Sequence, residues 1–108
     1  MPKRILVVGS DKEVYGLLHE LLGQEGYQVE EAEGDILNKL DNYDLVLMDV
    51  SRPETSDWEM VRKVRQKSQV KIMFLGLERL SSQEQEELKG SSYIIMPFDN
   101  EEFVERVN

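Results

Sequence analysis

The chain has 108 residues, enough for one real hydrophobic core and too few for two domains. Hydrophobic residues make up 40% and charged residues 32%, which excludes a disordered chain. The net charge of −9 (13 basic against 22 acidic residues) excludes a nucleic-acid face, because phosphate backbones need clustered Lys and Arg. There is no Cys, which removes disulfides, thiolate nucleophiles and thiolate metal sites and fits a reducing compartment. No apolar stretch approaches the roughly 20 residues that span a bilayer. Met1-Pro2-Lys3-Arg4 leads into only four apolar residues, too few for a signal peptide. The expectation is a cytoplasmic soluble module without membrane contact.

The elements alternate. Ile5–Val8 is short, branched and unbroken, as a strand buried on both faces should be. Val14, Leu17, Leu18, Leu21 and Leu22 then recur at helical spacing, and Gly26 closes that helix. Gln28–Ala32 carries Val29 among acids, which suits a polar edge strand. Asp35–Leu40 reads as a short second helix, and Leu45–Met48 as the next buried strand. Trp58, Val61 and Val64 mark a helix over 57–67, with Arg62, Lys63, Arg65 and Lys67 as its solvated face. Ile72–Leu75 is a strand, and Ser81–Lys89 a polar helix stopped by Gly90. Tyr93–Met96 is the last strand, and Phe103, Val104 and Val107 face inward from a fifth helix. Capping boxes are expected at Ser10 with Glu13, Ser56 with Glu59 and Ser81 with Glu84.

Five strands alternating with five helices imply an α/β fold with helices on both faces of a parallel sheet. The flavodoxin-like order 2-1-3-4-5 follows, with ligands expected beyond the carboxyl ends of the strands. Gly9, Ser10 and Asp49 fall at that crevice. From chemistry alone Asp49 has three roles open to it: nucleophile, metal ligand or structural carboxylate. A carboxylate can attack phosphorus, but phosphoryl transfer then needs charge neutralisation, normally by Mg²⁺ and a cationic side chain. Asp11 is the one other carboxylate to place nearby, and it suits the first turn of the first helix. His19 lies off the apolar stripe and reads as a solvated residue.

The chain resembles the receiver domain of two-component response regulators over nearly its whole length. The resemblance rests on Arg4-Ile-Leu-Val-Val8, Leu21-Leu-Gly-Gln-Glu-Gly-Tyr27, Asp44-Leu-Val-Leu-Met-Asp-Val50, Pro53, Trp58-Glu-Met-Val-Arg-Lys-Val-Arg65 and Tyr93-Ile-Ile-Met-Pro-Phe98. It implies that Asp49 occupies the phosphoacceptor position, Tyr93 that of the aromatic switch residue and Pro97 that of a cis proline. Four other positions depart. The family's Mg²⁺-holding acidic pair aligns with Gly9 and Ser10, its phosphoryl-binding Thr or Ser with Gly76, and its Lys with Met96. The resemblance therefore implies an atypical receiver, or pseudo-receiver, in two-component and phosphorelay signalling, acting by phosphorylation-independent protein–protein interaction. It implies no enzymatic activity and no cofactor. Partners would be a protein or an output domain, or a second copy through the fourth helix, fifth strand and fifth helix. One alternative is a working receiver that takes phosphate at Asp49 from a histidine kinase with weakened Mg²⁺ dependence. Another is a small flavodoxin-like ligand-binding protein. A short final helix suggests that residues 1–108 are the N-terminal part of a longer regulator.

Overall fold

The computed structural model describes residues 3–9, 12–32, 35–50, 55–88 and 91–107. Five parallel strands, β1 (Arg4–Val8), β2 (Gln28–Glu31), β3 (Leu45–Asp49), β4 (Lys71–Gly76) and β5 (Ser92–Ile95), form one sheet in the order β2-β1-β3-β4-β5. Among the described residues, four α-helices flank it: α1 (Lys12–Gln24), α2 (Thr55–Lys67), α3 (Ser82–Glu87) and α4 (Asn100–Val107). This is the expected flavodoxin-like architecture.

Strand alternation divides the core between the two faces of the sheet. Ile5, Val7, Leu45, Leu47, Met73, Leu75 and Ile94 pack with Leu18 and Leu22 of α1 and Phe103 and Val107 of α4. Leu6, Val46, Met48, Ile72 and Phe74 pack with Trp58, Val61 and Val64 of α2 on the other face. Both faces of β3 are buried down to Met48, and only Asp49 at its end is half-exposed. Each fully buried large side chain contributes roughly 1.5–3 kcal/mol of transfer free energy.

The helix ends follow from local chemistry. Gly26 has φ +90°, and the Tyr27 amide donates to the Leu22 carbonyl at 3.1 Å while the Gly26 amide donates to Gly23 at 3.0 Å. That is the Schellman closure, with Tyr27 packing into the same core as Leu22. Ser81 caps α3 in the expected box: the Glu84 amide donates to Ser81 Oγ at 3.2 Å, and the Ser81 amide to Glu84 Oε1 at 2.9 Å. Asp99 caps α4 by accepting from the Glu101 amide at 2.8 Å, a start not among the expected caps.

Four expectations are corrected. There is no second α-helix over Asp35–Leu40. That segment is turns, followed by a 3₁₀ turn at Leu40–Asn42. The Asp35 carboxylate accepts from the Leu37 amide at 3.0 Å, which competes with helical pairing, and the next bonds are three-residue steps (Lys39 to Ile36, Asn42 to Lys39). Leu17 is 55% exposed, because it lies about 100° around α1 from buried Leu18. The helix of Trp58 already begins at Thr55, so Ser56 is inside it and the Ser56–Glu59 box is not its start. Finally, β5 spans Ser92–Ile95, with Met96 just past its end. The expected Ser10 cap, the Gly90 stop, Asp11 and Pro53 lie outside the described residues.

Candidate functional site

The sheet register sets out the carboxyl edge. Val8 pairs with Met48, Asp49 with Leu75, and Gly76 with Ile95. The Val50 amide donates to the Leu75 carbonyl at 2.8 Å, and the Met96 amide to the Gly76 carbonyl at 2.7 Å. These pairings bring Gly9, Asp49, Gly76 and Met96 to one edge, beyond the carboxyl ends of the four strands β1, β3, β4 and β5. Asp49 stands between β1 and β4, at the point where the chain order reverses. Ser10, the remaining position singled out from the sequence, lies outside the described residues.

Each neighbour of Asp49 has its own physical reason. Gly9 has φ +79°, and a β-carbon there would stand 3.2 Å from the Asp49 carbonyl oxygen. The backbone thus needs glycine both for its conformation and for the close approach of β1 to β3. Met96 is partly buried, and its apolar side chain packs against the α1–α4 core. The Met96–Pro97 peptide bond is cis. Phe98 follows and stacks on Phe103 at 4.5 Å between ring centroids, which ties the turn to α4.

Gly76 is buried at the end of β4, and its missing side chain is replaced by Tyr93. The Tyr93 phenol extends from the half-buried edge strand β5 and donates to the Glu78 carbonyl at 2.5 Å. Its backbone carbonyl accepts from Arg106 Nη1 of α4 at 3.1 Å. The sequence places Tyr93 and Gly76 at the site separately and carries no sign of their contact. The signal was the register of β4 on β5, which periodicity does not contain.

Mg²⁺ takes oxygen ligands in near-octahedral geometry, usually with one or two carboxylates. Gly9, Gly76 and Met96 bring no side-chain oxygen to this edge. Among the described residues no three His, Asp or Glu side chains gather as a metal site. The described side chains here do not fit a resident Mg²⁺.

The other singled-out residues sit away from this edge. Exposed His19 lies beside Tyr15, with ring centroids 5.8 Å apart. Arg62 pairs with Glu87 at 3.0 Å, linking α2 to α3, and Arg65 donates to the Val70 carbonyl. At the opposite end of β1, Arg4 pairs with Glu30 at 2.7 Å and stacks on Tyr43 at 4.9 Å. Burial first, and Glu30 second, push the Tyr43 phenol above its ordinary value.

A five-stranded parallel sheet in the order β2-β1-β3-β4-β5 defines the flavodoxin-like fold class. Within that class, the response regulator receiver domain model matches residues 5–108, and the chain belongs to this family. It is 35% identical to the uncharacterized transcriptional regulatory protein YrkP of Bacillus subtilis, covering 99% of this chain and 48% of that one. It is 36% identical to the transcriptional regulatory protein ResD of Bacillus subtilis, covering 96% and 46%. With the transcriptional regulatory protein CpxR of Escherichia coli it shares 32% identity over 96% and 47%. The chain therefore spans about half the length of the curated relatives it matches. Among solved structures, the Vibrio cholerae chemotaxis protein CheY4 superposes with a TM-score of 0.79 at 23% identity, covering 99% of this chain and 97% of that one. The receiver domain of Klebsiella pneumoniae RstA gives 0.78 at 24% identity, covering 96% and 94%. These two likenesses establish the fold. No helix among the described residues is long and apolar enough to cross a membrane.

Proposed function

We propose that this receiver domain acts as a pseudo-receiver, transmitting its signal by protein–protein contact rather than through phosphate on Asp49. One observation carries the reading: Gly9, Gly76 and Met96, which share the carboxyl edge with Asp49, bring it neither charge nor hydroxyl. Phosphoryl transfer to a carboxylate draws on metal ligands and a cationic side chain, and none of these three neighbours supplies either. The docking face on this reading comprises α3, β5 and α4, the surface that the resemblance assigned to partners. A cleft of ≈ 660 Å³ lies there, lined by Leu80, Leu88, Tyr93, Ile95 and Arg106 among others. The six-residue α3 buries none of its own side chains, so this side of the domain has little local packing to hold it. The occupant is a protein partner, a second copy or an output domain of a longer regulator; relatives twice as long support the last.

The test uses the full-length regulator, with output or partner binding compared for the parent, Asp49→Asn and Asp49→Ala. The expected result is agreement within about twofold. A loss of tenfold or more on Asp49→Asn alone would establish the second reading, a working phosphoacceptor fed by a histidine kinase. The retained Asp49 at the switch point favours that alternative.

A further inference from the structure

Gly76 is not an open position. A β-carbon built on it would stand 2.0 Å from the Tyr93 hydroxyl oxygen, and 2.6 and 2.8 Å from two of its ring carbons. Real β-carbons essentially never approach another heavy atom closer than 3.0 Å. The register explains the contact. Phe74 pairs with Tyr93 and Gly76 with Ile95, so all four share one face of the sheet. The Tyr93 ring leaves β5 beside Phe74, crosses the place of the absent side chain and reaches the Glu78 carbonyl in the next loop. The same stretch is held from below by the Met96 amide on the Gly76 carbonyl, and α4 is held to it by Arg106 on the Tyr93 carbonyl. The Met96 bond is backbone to backbone, whereas the Tyr93 and Arg106 side chains donate the other two to backbone carbonyls.

We infer that Gly76 is a seat that holds Tyr93 in one position, and so fixes the shape of the α3–β5–α4 cleft independently of Asp49. Two features separate the seat from Asp49. Asp49 pairs with Leu75, whose side chain belongs to the α1–α4 face, whereas Gly76 is the next residue and lies on the opposite pleat. Glycine also has no side chain with which to answer a charge or ligand bound at Asp49. Position 76 therefore passes no signal to Tyr93, and the β5 wall of the cleft keeps its shape. This deepens the phosphate-independent reading and rests on it for its consequence; the steric seat stands on its own.

The test is a double-mutant cycle in thermal unfolding, with Gly76→Ala made in the parent and in Tyr93→Ala. Over-packing of this kind costs a domain of this size a Tm loss of roughly 5–15 °C. The seat predicts that loss in the parent and a change within about 3 °C in the Tyr93→Ala background. If Gly76→Ala fails to fold alone and folds with Tyr93→Ala, the seat is equally established. Equal losses in both backgrounds, or a double variant that fails to fold where Tyr93→Ala folds, would overturn it. A second readout uses 3-fluorotyrosine, which reports the four tyrosines separately, Tyr93 being identified by Tyr93→Phe. The Tyr93 resonance should be single and should hold its position when phosphoramidate and Mg²⁺ are added. A shift with an intact-mass phosphate adduct would sink the phosphate-independent reading and the uncoupling while leaving the steric seat to the cycle. A shift without an adduct would sink the uncoupling alone.

Discussion

The two described glycines that flank Asp49 occupy equivalent ends of β1 and β4, the strands on either side of β3, for opposite reasons. Gly9 is required by its own backbone: φ is +79°, and the Asp49 carbonyl oxygen approaches to 3.2 Å. Gly76 has no such backbone demand, and its constraint comes from a side chain 17 positions away, whose hydroxyl occupies the space a β-carbon would take. A glycine can therefore mark either a conformation or a cavity already filled, and only the second kind is relieved by a change elsewhere. On this account the two sides of Asp49 are structural rather than chemical, one a tight turn and the other an aromatic seat.

Gly76→Thr should cost the most, about 3 kcal/mol in chemical denaturation, with most of it recovered by Tyr93→Ala. A cost that Tyr93→Ala leaves unchanged would place the strain in the backbone, as at Gly9. Gly9→Ala should cost about 1–2 kcal/mol and stay equally costly in every Tyr93 background. Ser81→Ala removes a complete capping box beside the cleft and should cost about 1 kcal/mol, with faster amide exchange confined to α3. Exchange that spreads into β4 would show that α3 is coupled to the Tyr93 seat. The smallest effect is at alkaline pH. The raised folded pKa of Tyr43 means that stability is intact below the unfolded tyrosine value of about 10 and is lost as pH rises through the folded value. Tyr43→Phe should flatten that alkaline loss without altering either glycine.

The fold was legible because its strands are long enough to show their character. Val46 to Met48 and Ile72 to Leu75 are unbroken apolar runs, and a parallel sheet is the arrangement that buries both faces of such strands. Asp49, Gly9, Gly76 and Met96 were found at one edge because strand ends in such a sheet converge. Two kinds of feature were not legible. Asp35–Leu40 has helical spacing, yet a side-chain bond from Asp35 redirects its backbone, and spacing does not report that competition. The filling of Gly76 by Tyr93 depends on strand register and on a ring crossing two residues along the sheet, which no local pattern records.

Whether Asp49 takes up phosphate is read by intact mass after incubation with phosphoramidate and Mg²⁺, with Asp49→Asn as the control. No adduct is expected on either protein, with both folded by circular dichroism. An adduct of one phosphoryl group on the parent and none on Asp49→Asn would contradict it, and would show that this edge recruits its metal and counter-charge by other means.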